Sequence, residues 1–560
     1  MIGNKILLII LSVWIGLMNL NAQYQERIFL QTDKQLYISG ELIWLKLYST
    51  DSEGKLLSLS KIGYVELVRD SIAEVQIKVD IPDGTGAGCI ELPPTLPTGF
   101  YRLIAYTRYM RNEGENVFFE KQIAIVNPFS PYNDRYTEDT YTPFAIKPIE
   151  KESTTIELMP NRSTYTKRSN GEIRIKGLPT ENISMGISIA GIEPELTASS
   201  TTIADWKKQM PKSGVSFSYD KMRFLPEYEG AIIDGVLIDT ETGNPVSASH
   251  KVITLLSFPG QEVQLFSGQI DESGNTSFYT LCATGKKELV TTTLSPTGKN
   301  YRVDIHSPFA THASRRLPFF RPDSTWLNYL QQRNLSVQVT KAFLTDSIIK
   351  IRGTAPCSYL RPYSTYILDD YTRFPNMEEV FIEFIMFASI RNTPEGRRFS
   401  LINEMLNGSS TNVLVLLDNI PVIDHELMSD YNPLLIKTIE LYLGDFIIGV
   451  NAFDGIIAFH SYENNFPDIT FGANTQLFSY EGTQPYKYFY MPEHENITLR
   501  IPDFRHTLLW EPSIQSNGRQ ELTIPFTTSD LPGTYIITVE GIGANGTTIR
   551  LNHTIEVTDE

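Results

Sequence analysis

Eight histidines and three cysteines bound the metal and nucleophile chemistry open to this chain. There is no His-Glu-x-x-His or His-x-His pair. Asp304, His306 and His312 come nearest to a ligand set, and residues of these types in a loop beside Pro308 are expected to make ordinary hydrogen bonds. Asp418, Asp424 and His425 lie close together after an apolar run and are expected to be solvated or to cap the next element. Ser347-Ile348-Ile349-Lys350 fits Ser-x-x-Lys, but it falls in an alternating strand pattern with no Lys-Thr-Gly partner. No Gly-x-Ser-x-Gly elbow and no phosphate-cradling Gly-rich loop with Lys is present. Asp51-Ser52-Glu53-Gly54 reads as a turn with too few carboxylates for calcium. No nucleophile, base and orienting group can be assembled, so no enzymatic activity, cofactor or metal is expected. Tyr106, Tyr109, Tyr480, Tyr486, Tyr488, Phe489 and Tyr490 offer a binding face or, more commonly for strand aromatics, a core.

The elements that would position these residues are mostly strands. The 560 residues exceed the size of one domain, and 41% hydrophobic with 20% charged residues supports buried cores. A charge of −17 leaves no basic surplus for coating nucleic acid. Abundant Tyr, Phe, Gly and Pro indicate short strands joined by turns.

Residues 1–22 carry Lys5, an apolar run from Ile6 to Met18 and Ala22, the pattern of a secretory signal peptide. The run is about 13 residues long, short of the roughly 20 that span a bilayer. No later segment is expected to cross a membrane, so the expectation is export to the periplasm or an outer-membrane-associated surface.

The mature chain divides into a β-sandwich over 23–127, a linker over 128–150, a second sandwich over 151–228 and a small separate sandwich over 229–330. A strand segment with an α/β domain follows over 331–480, then a last sandwich over 481–560. The second sandwich echoes the first: Tyr165, Gly171-Glu172 and Ile173–Lys176 follow Tyr37, Gly40-Glu41 and Leu42–Leu47. A fainter echo sits at Val337–Val339 and Ile349–Ile351. In the α/β part, Met377–Arg391 is the best helix candidate and Val413–Leu417 reads as a strand buried on both faces. Pro433–Leu443 suggests a helix leading into a strand, and Gly455–His460 a further strand.

Thr32-Asp33-Lys34, Tyr37, Gly40-Glu41 and Leu96-Pro97-Thr98-Gly99-Phe100-Tyr101 together resemble the macroglobulin domain of the α2-macroglobulin superfamily. Asp239, Thr242–Val246 and Gly274-Asn275 resemble a carboxypeptidase-regulatory-like domain. Val415–Val422, Pro433, Ile439-Glu440 and Phe453–Ile457 are similar to the plug domain of TonB-dependent receptors, with Asn419 where those plugs carry Gly. Only about 80 residues follow the plug-like part, against the roughly 22 strands of a barrel that holds a plug, so no barrel is encoded there and transport is not implied. The macroglobulin resemblance raises a thioester, which needs Cys-x-Glu-Gln. Cys89-Ile90-Glu91-Leu92 has Leu in place of Gln, and Cys89, Cys282 and Cys357 read as buried thiols.

The expectation is a mainly β protein of serial macroglobulin- or Ig-like sandwiches with one plug-like α/β domain. It would bind or scaffold in the cell envelope, docking on an outer-membrane or periplasmic protein through Asp418, Asn419, Pro421, Asp454 and Gly455. The alternative is a protease-binding inhibitor without a thioester.

Overall fold

The computed structural model describes residues 25–129, 155–192, 201–210, 222–260, 262–281, 283–318, 320, 326–351, 360–394, 396–403, 408–448, 451–492 and 501–559. The expected signal peptide lies outside these residues, as do Cys282, Cys357 and most of the expected linker. The fold is mainly β, arranged in several sheets. Two compact units form. Unit 1 takes Met1–Tyr228, Phe309–Arg352 and Gln484–Glu560, and unit 2 takes Glu229–Pro308 and Gly353–Thr483.

Unit 1 opens with a sandwich whose strands in chain order are Arg27–Thr32, Leu36–Ile38, Leu42–Thr50, Ile62–Arg69, Ile72–Asp80, Thr85–Glu91, Gly99–Tyr106 and Phe119–Val126. One sheet has the order first–third–sixth, and the other second–eighth–seventh–fourth–fifth. The second strand runs parallel to the eighth; the remaining pairs are antiparallel.

The same topology recurs later in unit 1. Glu157–Pro160, Thr164–Thr166, Asn170–Lys176 and Ile183–Gly191 supply the first four strands, and Thr507–Gln515, Glu521–Thr527, Gly533–Gly543 and Thr548–Thr558 the last four. Their sheets again run first–third–sixth and second–eighth–seventh–fourth–fifth, with the second strand parallel to the eighth. Segments 151–228 and 481–560, expected as two sandwiches, are therefore two halves of one. Neither half has enough strands to cover both faces of its own core. Ile173, Ile183, Met185 and Ile187 share one buried core with Leu508, Phe526, Ile537 and Val539. Everything from 193 to 506 is inserted between the fourth and fifth strands. In the first sandwich those two strands meet in a tight turn at Asp70, whose φ is 55°, and hairpin tips are where insertions are best tolerated.

Side-chain chemistry confirms the duplication. Asp33 Oδ1 accepts from the Tyr37 hydroxyl at 2.9 Å and from the Trp44 amide at 3.2 Å. Asn161 Oδ1 accepts from the Tyr165 hydroxyl at 2.7 Å and from the Glu172 amide at 3.1 Å, at the same sequence separations of 4 and 11. Toward the end of each sandwich a tyrosine hydroxyl donates to a carbonyl four residues back, Tyr101 to Pro97 at 2.7 Å and Tyr535 to Leu531 at 2.8 Å. Such a tyrosine corner fixes the crossing from one sheet to the other. The Thr-Asp-Lys…Tyr…Gly-Glu pattern is therefore a fold clamp. The fainter echo does not hold as a strand pair: Val337–Val339 lies in the helix Leu327–Ile348, while Ile349–Ile351 pairs with Lys487–Phe489.

Unit 2 contains a seven-stranded sheet ordered Tyr301–Ile305, Ile232–Asp239, Asn275–Tyr279, Leu265–Ile270, Ile253–Ser257, Lys286–Leu294 and Thr475–Glu481. Its core holds Leu237, Leu256, Phe258, Phe278 and Leu289. Its last strand comes from beyond the α/β part, so this unit is interleaved in sequence, and the expected boundary at 330 falls instead in the helix Leu327–Ile348 of unit 1.

The α/β part has a mixed sheet of Ser364–Ile367, Ile436–Ile448, Asn451–Ser461, Leu414–Leu417 and Ile420–Pro421, beside a three-stranded sheet of Ala388–Thr393, Gly396–Asn403 and Gly408–Ser410. Leu414–Leu417 pairs parallel to the strand that contains Gly455–His460. Val415 and Leu417 enter one core, and Leu414 and Leu416 another, so this strand is buried on both faces as its composition predicts. Met377–Arg391 is helical only over Met377–Glu383 before the chain turns into Ala388–Thr393. Pro433–Leu435 is one 3-10 turn leading into a strand. In both places β-branched and aromatic residues favour extension over helix. Among the described residues no helix is long and apolar enough to cross a membrane.

Candidate functional site

Asp418 and Asn419 form the two-residue turn between Leu414–Leu417 and Ile420–Pro421, with φ of 48° and 71°. Two consecutive left-handed residues make a primed hairpin turn, for which Asp and Asn are among the best non-glycine choices, and this explains Asn419. The turn points inward. Asp418 is fully buried, and its carboxylate accepts from the Ser461 amide and hydroxyl and from the Phe466 amide, each at 2.7 Å. Asn419 donates its side-chain amide to the carbonyls of Gly260, at 2.8 Å, and Glu262. Pro421 is buried beside them. Asp454 is half-buried and bonded to the Ser410 hydroxyl. Gly455 is buried so tightly that a Cβ there would lie 2.4 Å from Leu401 Cδ1.

The five residues expected to dock a partner are thus committed to internal contacts. The physical reason is that a strand buried on both faces carries its adjoining turn into the interior with it. Asp424 caps the short helix His425–Ser429, accepting from the Glu426 amide at 3.0 Å. His425 is buried against Phe399, whose amide donates to its Nδ1 at 3.2 Å.

The other candidates resolve similarly. Asp304 pairs with Arg302 at 2.8 Å in unit 2, and the His306 amide donates to the Asp234 carbonyl. His312 belongs to unit 1, between Glu66 and Glu115. Among the described residues no group of three or more His, Cys, Asp or Glu side chains is placed to hold a metal ion. Asp51 organises a turn, accepting from the Glu53 and Lys55 amides at 2.9 Å. Ser347 lies in a helix and Lys350 in the strand after it. Tyr106, Tyr109 and Tyr480 are buried, whereas Tyr488 is exposed.

Cys89 lies between Trp44 and Trp510, and burial pushes its thiol pKa up. The Gln484 side chain brackets it like an added strand residue, accepting from the Cys89 amide at 2.8 Å and donating to its carbonyl at 2.7 Å. Iodoacetamide is expected to leave Cys89 unmodified in the native chain and to modify it fully in guanidinium, read by peptide mass mapping; rapid native labelling would contradict this enclosure.

No protein-family model and no curated protein matches this chain. Among solved structures, Salmonella α2-macroglobulin reacted with methylamine is 10% identical with a TM-score of 0.24, covering 96% of this chain and 40% of that one. Native Escherichia coli α2-macroglobulin is 11% identical at the same TM-score and coverage. FdeC, an E. coli adhesin, is 10% identical with a TM-score of 0.14, covering 50% of this chain and 62% of that one. The chain spans about 40% of the length of these macroglobulins.

Sequence reasoning missed an apolar surface on the α/β part. On the helix Met377–Glu383, Met377, Val380 and Phe381 face the core, which puts Ile382 in solvent at 72% exposure. Met386 is 64% and Tyr363 57% exposed, and Tyr371 and Ile402 are exposed as well. Two of them rest on half-buried rings: Phe387 meets Tyr363 edge-on at 5.4 Å and Phe384 stacks on Tyr371 at 4.3 Å. Phe387 holds this arrangement with a φ of 70°, a strained backbone for an aromatic residue. Asp369, Asp370, Glu378, Glu379 and Glu383 are exposed along the same stretch, and Arg373 pairs with Asp369. The signal available in the sequence was Ile382 falling outside the buried stripe of an amphipathic helix.

Proposed function

We propose that this chain is a non-catalytic binding and scaffold protein of a bacterial cell envelope. In this reading the tandem sandwiches form a support, the 229–305 strands act as a carboxypeptidase-regulatory-like spacer, and the plug-like α/β part docks an outer-membrane or periplasmic protein. The observation that carries the reading is the exposed apolar surface around Ile382 and Met386. Apolar patches rimmed by polar groups mark contact sites, because covering them removes apolar area from water. The five exposed carboxylates of the same stretch of chain favour a contact segment with Lys or Arg flanking an aliphatic or aromatic anchor.

The test compares residues 23–560 with the Ile382→Glu/Met386→Glu double variant as baits in detergent-solubilised envelope extract. A partner captured by the wild type is expected to be lost at least tenfold with the variant and weakened by salt, while the melting temperature stays unchanged because both side chains are already in water. Equal capture by the two baits, or a wild-type bait recovered alone, would overturn the reading.

A further inference from the structure

Residues 309–315 cross the first sandwich as a strap without regular structure. The Phe309 ring packs edge-on against Tyr64 at 5.6 Å, and the Ala310 amide donates to the Tyr106 hydroxyl at 2.7 Å. The Ala313 amide donates to Glu115 at 3.1 Å, and its carbonyl accepts from Arg102 at 3.2 Å. His312 lies at the centre, its side chain 2% exposed. Nδ1 is hydrogen-bonded to Glu115 at 2.9 Å, and Nε2 lies 3.0 Å from Glu66, at ion-pair distance but outside hydrogen-bond geometry; the Glu66 side chain is itself fully enclosed.

With Nδ1–H donating to Glu115, a neutral ring would turn its Nε2 lone pair toward the Glu66 carboxylate at 3.0 Å, a repulsion that the imidazolium relieves. Glu66 also accepts from the Tyr106 hydroxyl and from Gln76, both neutral donors, so a protonated His312 would be the cation that pairs with it. Other charges nearby include Arg102, which is 3.8 Å from Glu115 and 3.5 Å from Glu120, Arg315, which is 2.9 Å from Glu120, Arg111, which acts on Tyr106, and Lys78, whose Nζ lies 6.0 Å from the centre of the Phe309 ring.

We infer that His312 is a proton-operated latch: protonated, it pins the strap to the first sandwich, and deprotonated, it lets the strap lift. Burial works against the charged ring, but Glu66 and Glu115 more than offset it and hold the pKa above its ordinary 6.5. A raised pKa in the closed state means the latch is fully set below 6.5 and is lost as pH rises through the closed-state value. Opening then increases by up to about tenfold per pH unit across that interval.

The experiment follows hydrogen exchange of peptides covering 309–316 in the full chain from pH 6 to 9, corrected for intrinsic exchange, together with NMR titration of the His312 ring. Protection is expected to fall with rising pH in the wild type. Glu115→Gln should move the His312 titration and the loss of protection to lower pH, and His312→Gln should leave protection low and flat. A His312 pKa at or below 6.5, or wild-type protection that is flat across the range, overturns the latch. Should His312→Gln fail to fold, Glu115→Gln and the wild-type titration decide it.

Discussion

Asp418→Ala is expected to destabilise unit 2 by about 4 kcal/mol, because it strands three buried donors at once. The Ser461 amide, the Ser461 hydroxyl and the Phe466 amide all end on this one carboxylate, and no exposed edge lets water replace it. The substitution also places Ala at a φ of 48°, which Asp tolerates better. Asp418→Asn keeps the turn and one acceptor oxygen, and should cost roughly half as much. The measurement is hydrogen exchange at Leu414–Leu417 against denaturant. The four Trp among the described residues, Trp44, Trp206, Trp326 and Trp510, lie in unit 1, so their fluorescence follows that unit separately and should report an unshifted transition. If Leu414–Leu417 keep wild-type protection in Asp418→Ala, the inward turn is wrong.

Acid should loosen the same unit. Burial, aided by the nearby Arg398 charge, pulls His425 down to about 4, and its ring is held neutral between the Phe399 amide and the Val413 backbone. The unfolded ring binds its proton near 6.5 and the folded one only near 4, so between these values the unfolded state carries more protons. Stability is therefore intact above 6.5 and declines as pH falls toward 4, by at most about 3 kcal/mol. His425→Gln should flatten that decline by one proton's worth, and an unchanged pH slope in this variant would exclude His425 as its source. The sign is opposite to that of the His312 latch in unit 1, so one pH series separates the two.

Much of the architecture is legible in the residues. Alternating strands, the doubly buried run at 413–417 and the echo of Tyr37 in Tyr165 all follow from local pattern. Asp424 as a cap and Cys89 as a buried thiol were readable for the same reason: each depends on immediate neighbours. The expected docking turn failed because positive φ and burial at Asp418 and Asn419 depend on Gly260, Glu262, Ser461 and Phe466, all far away in sequence. The helix expected over Met377–Arg391 stops at Glu383; Ile382 is exposed because it falls outside that helix's buried stripe, and Met386 in the irregular stretch that follows the helix end.

Composition and periodicity by themselves determined a mainly β, multi-domain, acidic chain with one α/β segment and a repeated opening motif. Only the tertiary structure decided that the second and last sandwiches are halves of one, split between the fourth and fifth strands by everything in between. A period-two pattern states which face of a strand is buried, but it is silent about which distant strand will cover it, since hydrogen bonding along a sheet edge is the same for any partner that brings a complementary apolar face.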